Sequence, residues 1–135
     1  MERPINVLTD IKDLAELLSG ASVEHTRVAA AAGRLSLEME LTRAMPEHRQ
    51  VVRQGLFRRT RTPWSRSRLT LHGVSDVTVQ QSADRAPSPE PLLTCDAVPG
   101  GYTLMVTAPS GLQLACRMDQ LEGRFSDVGQ PIEAP

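Results

Sequence analysis

The stretch LLTCDAVPGGYTLMVTAPSGLQLACRM, residues 92–118, contains three alternating segments separated by two turn sequences. Apolar residues that recur with a period of two are typical of β-strands with one buried face. The turn sequences PGG at 99–101 and PSG at 109–111 supply Pro and Gly where tight hairpin loops require them. The stretch therefore predicts a three-stranded antiparallel meander.

The register of this meander determines whether the two cysteines can form a disulfide. A two-residue first loop and a three-residue second loop place Leu104 opposite Cys95 on one side and Cys116 on the other. The thiols are then two strand spacings apart, roughly 9 to 10 Å, whereas a disulfide requires Cα atoms within about 7 Å. We therefore expect two reduced, core-facing thiols. The same register pairs Leu93 with Val106, Ala97 with Tyr102, Val106 with Leu114 and Tyr102 with Met118.

Other segments show the same alternation. Arg34–Thr42 has apolar residues at its odd positions, and Val23–Ala31 is its predicted hairpin partner. Arg66–Gln80 resumes the pattern, with Gly73 as a predicted bulge, bend or turn. A last short strand is predicted around Arg124–Asp127. These segments suffice for a sheet of about five to seven strands.

A short helix is predicted before the strands, over residues 10–19, where apolar residues recur at helical spacing. Thr9 or Asp10 can cap it and Gly20 ends it. A helix of about ten residues is marginal alone, so we expect it to dock on the sheet. The predicted fold class is α+β: a short N-terminal helix packed on a curved, mainly antiparallel sheet, which further coiling would turn into a half-barrel.

The 135 residues are predicted to form one domain, 1–135. Three stretches interrupt the alternation: a basic insertion at 43–68, a Pro-rich loop at 82–91 and a loose tail at 130–135. Inside the insertion, Pro46–Gln54 is predicted to be either a short helix or an ordered loop, because Val51 and Val52 give it only a thin apolar stripe.

Charge is distributed unevenly along this nearly neutral chain. The formal net charge is −1, but residues 43–68 hold eight arginines against one acid, Glu47, and carry +7. The remainder holds seven bases against fifteen acids and carries −8. Such asymmetry indicates an electrostatic interaction, within the fold or with a partner. Because there is no apolar run of about 18 residues and no signal-peptide pattern at the N-terminus, we expect a cytoplasmic protein without membrane contact.

Residues that usually carry catalysis form no recognised motif. The serines lack the Gly-x-Ser-x-Gly elbow, no glycine-rich loop has the Lys of a phosphate site, and the cysteines lack zinc-site spacing. His25 and His72, with Glu24 or Asp76, would be a metal-ligand set if they met across the sheet, but Glu24 points away from His25 in a strand. We therefore expect a non-enzymatic protein with no catalytic residues, no metal and no cofactor.

The basic insertion is the candidate functional site. It interleaves arginine with aromatic residues; arginine binds carboxylates and phosphates bidentately, and Trp64 can stack on a base. The predicted partner-binding residues are Arg53, Arg58, Arg59, Arg61, Trp64, Arg66 and Arg68. The partner is expected to be an acidic protein, because the acidic remainder of the chain would repel nucleic acid. Two alternatives stay open: nucleic-acid binding, and neutralisation within the fold by Glu38, Glu40 and other acids. Exposed strand edges also allow homo-oligomers.

Three groups of residues between His25 and Val128 form a wider pattern. They are HTRV at 25–28 with LSLE at 35–38, LTLHGVSDV at 69–77, and GGYTL at 100–104 leading into GLQL at 111–114. On these segments the chain resembles the immunity protein 50 family of bacterial polymorphic-toxin systems. The resemblance implies a small, non-enzymatic α+β protein that neutralises a partner toxin by binding it. The Arg-rich insertion and the scarcity of aromatic residues depart from the family pattern, so the identity of the partner does not transfer.

Overall fold

Antiparallel strands make up most of the chain, together with one helix among the described residues. The computed structural model describes residues 2–31, 33–44, 50–54, 57–61, 64–81, 92–108 and 111–132, with the backbone alone for 31, 50–54, 57–61 and 130–132. In chain order the elements are β1 Glu2–Ile5, α1 Leu8–Leu17, β2 Ser22–Ala31, β3 Arg34–Ala44, β4 Gln50–Gln54, β5 Phe57–Arg61, β6 Trp64–His72, β7 Val74–Gln81, β8 Leu93–Val98, β9 Gly101–Thr107, β10 Leu112–Met118 and β11 Gly123–Ile132.

The strands form two larger sheets and one separate hairpin. The first sheet has five strands in the order β1-β11-β6-β3-β2, and the second has four in the order β7-β10-β9-β8. The separate hairpin consists of β4 paired with β5. Every pairing among the described strands is antiparallel, so the mainly antiparallel architecture is confirmed. With one short helix among the described elements, the fold is mainly β and agrees roughly with the predicted α+β class.

The prediction of one continuous sheet is wrong, and Gly73 is the physical reason. This glycine joins β6 to β7 with a φ of 71°, a backbone conformation that residues other than glycine rarely adopt. The chain turns there and passes from the five-stranded sheet into the four-stranded one. Both sheets stay open, and a half-barrel is not formed. Apolar residues remain at odd positions on both sides of Gly73. For this reason the periodicity of the sequence does not reveal that the chain changes sheets there.

Both sheets and the helix contribute to one hydrophobic core. The odd positions of β3 from Leu37 onward and those of β6 from Ser65 to Leu71 are buried, whereas the neighbouring Glu40 and Arg68 face outward. Ile11 and Leu14 of α1 are also buried, and the helix contacts β8. Each fully buried aliphatic side chain contributes about 1.5 to 3 kcal/mol to folding. The five-stranded sheet therefore has one face in the core and one face exposed.

Helix α1 begins two residues earlier than predicted, at Leu8. The carboxylate of Asp10 accepts hydrogen bonds from the backbone N–H groups of Asn6 at 2.9 Å and Val7 at 3.1 Å, and these bonds lower the pKa of Asp10. Asp10 therefore supports the start of the helix from inside its first turn. The strand β1 that precedes the helix was not anticipated from the sequence.

The meander β8-β9-β10 confirms the predicted register. Leu104 lies opposite Cys95 and Cys116, and Ala97 and Met118 lie opposite Tyr102. Both cysteines are free and buried. Burial, with a smaller effect from Cys95, raises the pKa of the Cys116 thiol to about 11. The two thiols therefore act as small apolar groups of the core.

Two further predictions need correction. Gln50–Gln54 is a strand and not a helix or loop, because its β-branched Val51 and Val52 suit a strand. Residues 130–132 of the predicted loose tail belong to β11, where Ile132 lies opposite Trp64. The Pro-rich loop 82–91, residues 45–49 and residues 133–135 lie outside the described part of the chain. Among the described residues, no helix has the length and apolar composition needed to cross a membrane.

Candidate partner-binding surface

The basic insertion runs through four consecutive strands. It begins at the end of β3, continues through the hairpin of β4 and β5, and ends in β6. The last pair of the β3–β6 ladder is Ala44 with Trp64, and the chain between these two residues contains the hairpin. We call Gln50–Arg61 the basic hairpin. It is attached to the end of the five-stranded sheet at which Thr42 and Arg66 lie.

The backbone register of the basic hairpin brings arginines to directly opposite positions. Arg53 lies opposite Arg58, while Arg59 lies opposite Val52 and Arg61 opposite Gln50. Like charges at opposite positions destabilise an antiparallel pair. An anion bound near both arginines would reduce this cost.

Arg43, the first residue of the insertion, is neutralised inside the protein. It is completely buried, and its Nη2 and Nε donate to the Asp127 carboxylate at 2.9 and 3.1 Å. Ser67 donates a third hydrogen bond to Asp127, at 2.7 Å. Burial acts to raise the pKa of Asp127, but the hydrogen bonds from Arg43 and Ser67, together with the positive charges of Arg43 and the N-terminus, hold that pKa below its usual value. Arg43 therefore belongs to the structure and not to the exposed surface.

Two serines make this buried ion pair possible. β6 lies between β3 and β11, with Ser65 opposite Arg43 and Ser67 opposite Asp127. Both serines are buried on the core face. Because their side chains are small, the guanidinium of Arg43 can cross β6 to reach Asp127. It also lies 6.0 Å from the ring centre of Phe125, within the range of a cation–π contact.

The exposed face of the five-stranded sheet carries cross-strand ion pairs. Arg68 donates to Glu40 at 3.4 Å, and Arg27 donates to Glu38 at 2.7 Å. Arg68 with Glu40 is the internal neutralisation considered as an alternative for the insertion, and it is confirmed for this arginine. Exposed pairs of this kind contribute little stability, so a stronger anionic ligand can compete for Arg68.

A groove of about 540 Å³ lies on this exposed face. Its lining residues come from four strands and are Glu24, His25, Glu40, Leu41, Thr42, Arg66, Ser67, Arg68 and Val128. The hydroxyl of Thr42 donates to Glu24 at 3.1 Å and fixes the acidic side of the groove. Cationic groups from β6 and acidic groups from β2 and β3 therefore line one groove.

Arg66 is the cation of this groove that the fold leaves available. It is exposed, and its neighbours across the ladders, Thr42 and Val128, are uncharged. No hydrogen bond or ion pair of the Arg66 side chain is found within the described part of the chain. An arginine in this state can bind a carboxylate or phosphate bidentately.

The histidines do not come together as a metal site. His25 lies opposite Glu40, whereas His72 lies opposite Ser36 and shares a hydrogen bond of 3.0 Å with the Ser36 hydroxyl. The two histidines therefore sit at different levels of the sheet on either side of β3. No group of three His, Cys, Asp or Glu residues suited to a metal occurs in the described ranges.

Of the predicted binding residues, the structure brings Arg66 and Arg68 together in the groove. Trp64 is half-buried beside the base of the hairpin, and Arg53, Arg58, Arg59 and Arg61 are placed by the hairpin backbone. The groove also contains four residues that were not predicted from the sequence: Glu24, His25, Thr42 and Val128. The position of Thr42 can be predicted from the alternation of side chains along β3, once β3 is paired with β6. The positions of Glu24 and His25 depend instead on the register shift between Val23 and His25 in β2.

No protein-family model matches the chain, and no significant match is found among curated proteins or solved structures.

Proposed function

We propose that the chain is a cytoplasmic, non-enzymatic binding module that holds an acidic segment of a partner protein, an immunity-like role. The partner would lie across the groove and the basic hairpin. The observation that carries this proposal is the state of Arg66, which is exposed in the groove without an ion pair among the described residues. Arg43 and Arg68 are already neutralised by Asp127 and Glu40.

The mixed charge of the groove supports a protein partner over a nucleic acid. Glu24 and Glu40 line the same groove as Arg66, and both would repel a polyphosphate backbone. A protein segment can place a carboxylate near Arg66 and a cationic or polar group near the acids. Val128 adds an exposed apolar side chain beside Arg66, and protein interfaces commonly combine arginine with apolar contacts.

The basic hairpin supports the same kind of partner. Its two strands carry four arginines and no acid, and two of these arginines occupy opposite positions. An acidic protein segment would neutralise them and stabilise the hairpin. The free, buried thiols fit a reducing compartment, which supports the cytoplasmic part of the proposal.

The proposal is tested by titrating a fluorescent acidic peptide of about twelve residues, in which Glu and Asp are interspersed with Ser and Lys, at about 50 mM salt and following its anisotropy. We expect Arg66→Glu to weaken binding about tenfold, equivalent to about 1.4 kcal/mol. The matched control is Arg124→Glu, since Arg124 is exposed on the same face of the sheet but outside the groove. Both variants change the net charge equally, so equal losses of affinity would reject a specific role for Arg66.

The nucleic-acid alternative is tested in the same titration with random duplex DNA and RNA. If six arginines of the insertion each neutralised a phosphate of a duplex, the logarithm of affinity would fall with the logarithm of salt at a slope of about −5. Tighter binding to DNA or RNA than to the peptide, with that slope, would replace the protein-partner proposal. Absence of nucleic-acid binding at low salt would remove the alternative.

A further inference from the structure

The strand β2 is an open edge of the five-stranded sheet. It ends the strand order, and no strand of the described chain pairs with its outer side. An edge strand leaves every second backbone N–H and C=O without a sheet partner. Beyond the register shift at Val23 and His25, its pairing with β3 is regular as far as Ala31. The end of the strand, VAAA at 28–31, has neither the charges nor the proline that protect edges.

The core face of the sheet is uncovered at this edge. Val28 lies opposite Leu37, yet Val28 is 42% exposed while Leu37 is 1% exposed. Leu35, on the same face, is 41% exposed, and its partner Ala30 is exposed as well. Val28, Ala30 and Leu35 thus form an apolar strip beside the open edge.

We propose that a second copy of this chain covers the edge, with the two β2 strands paired antiparallel about a two-fold axis. Twofold symmetry is the commonest arrangement of homo-oligomers. The two five-stranded sheets would become one continuous sheet. The apolar strips of the two copies would then join, and the free backbone groups of each β2 would bond to the other.

The sequence of β2 suits a copy of itself in the register centred on Val28. A two-fold axis normal to the sheet keeps each side chain on the same face of the continuous sheet. Since only residues on the same face can lie opposite each other, the axis must pass between two copies of one residue. Centred on Val28, the register places Arg27 opposite Ala29 and Thr26 opposite Ala30. No like charges face each other, and Arg27 is already paired with Glu38 at 2.7 Å. Centred on Arg27, the same strands would bring two arginines into direct opposition, which is unfavourable.

The dimer has a consequence for the groove. Because the axis is normal to the sheet, both grooves would lie on the same side of the continuous sheet, and each is lined in part by Glu24 and His25 of β2. Two grooves on one side permit bivalent contact with one partner, which raises avidity without new contacts. This consequence rests on the proposed function, whereas the dimer itself does not.

The test is the mass of the chain in solution, measured by sedimentation and light scattering from about 1 to 100 µM. We expect a concentration-dependent dimer for the wild type and a monomer for Val28→Lys. The matched control is Val79→Lys, because Val79 is 51% exposed on β7, an edge of the other sheet. A wild type that stays monomeric, or a Val28→Lys variant that dimerises like the control, would overturn the proposal.

A second variant keeps the test independent of how Val28→Lys folds. In the register centred on Val28, the two Val28 Cα atoms lie about 4.5 to 5.5 Å apart, within the range of a disulfide. Val28→Cys should therefore form a covalent dimer under mild oxidation, at a rate at least tenfold above that of Val79→Cys. Equal rates for the two variants would contradict the proposed register. Binding of the acidic peptide is measured separately, so failure of the dimer would leave the proposed function standing.

Discussion

The guanidinium of Arg43 and the carboxylate of Asp127 meet on the core face of the sheet, across the strand that separates their own two strands. The Nη2 to Oδ2 distance is 2.9 Å, and the two side chains are 1% and 8% exposed. The basic insertion is thus anchored at its first residue by an acid from the end of the chain. This contact joins the two charge pools, of opposite sign, in the interior of the protein.

Removing the negative partner should be strongly destabilising. Asp127→Asn removes the carboxylate that accepts two hydrogen bonds from the buried guanidinium of Arg43, and removing one charge of a buried ion pair costs about 3 to 5 kcal/mol. We expect urea denaturation to show this decrease in the free energy of unfolding. The control is Glu40→Gln, which breaks the exposed pair with Arg68 and should change stability little. An equal decrease for the two substitutions would show that the buried pair contributes no more to the free energy of unfolding than the exposed pair.

Replacing both charged partners should be milder than removing one. Arg43→Met combined with Asp127→Leu removes both charges of this pair, and apolar replacements of buried ion pairs are often neutral. We therefore expect the double variant to be more stable than Asp127→Asn, with a positive coupling in a double-mutant cycle. If the double variant were as unstable as the single one, packing around Ser65 and Ser67 would account for the loss instead of charge.

The stability of the protein should decrease at acid pH. The pKa of Asp127 is lowered in the folded state, below an unfolded value of about 3.9. The resulting stabilisation is complete above the unfolded pKa and is lost as the pH falls through the folded pKa. Unfolding free energies from pH 7 down to 2 should therefore fall most steeply below about pH 4. Asp127→Asn should flatten this dependence; an unchanged profile would assign it to Asp10 and Glu122, whose pKa values are also lowered.

Strand parity explains what the sequence could predict. The alternation of Leu37, Met39 and Leu41 indicates the buried face of β3, and the turn lengths fix Leu104 between the two cysteines. The same parity puts Arg43 on the core face, two residues after Leu41. Its charge nevertheless made it look like part of an exposed basic surface, because only the pairing of three strands reveals Asp127 as its partner.

The groove was harder to predict for two physical reasons. Gly73 ends β6 in one sheet and starts β7 in the other, and no periodicity in the sequence marks this change. The register shift next to Glu24 turns His25 toward the exposed face, whereas regular alternation would have paired it differently. Arg66 and Arg68 follow from parity, but the acidic side of the groove depends on these two irregularities.

The two cysteines should be unreactive in the folded protein. Both are buried, and the pKa of Cys116 is about 11 while that of Cys95 is also raised. Little reactive thiolate is therefore present at pH 8. We expect slow labelling by a thiol reagent in native buffer, and two thiols per chain in denaturant without reductant. Absence of free thiols in denaturant would reveal a disulfide, and fast native labelling would contradict the burial.

The turn between β8 and β9 offers a matched pair of glycines. A Cβ at Gly101 would overlap the backbone carbonyl of Met118 and lie 3.0 Å from the Cα of Asp119. Strands β9 and β10 would therefore have to move apart. Gly100 also has a positive φ, 87°, but a Cβ there meets nothing within 4 Å. We expect Gly100→Ala to cost about 1 kcal/mol from backbone strain alone. Gly101→Ala should cost about 2 to 4 kcal/mol, because steric overlap is added to the strain. Urea midpoints at an unchanged m-value would measure both changes, and equal costs would contradict the close approach of Gly101 to Met118.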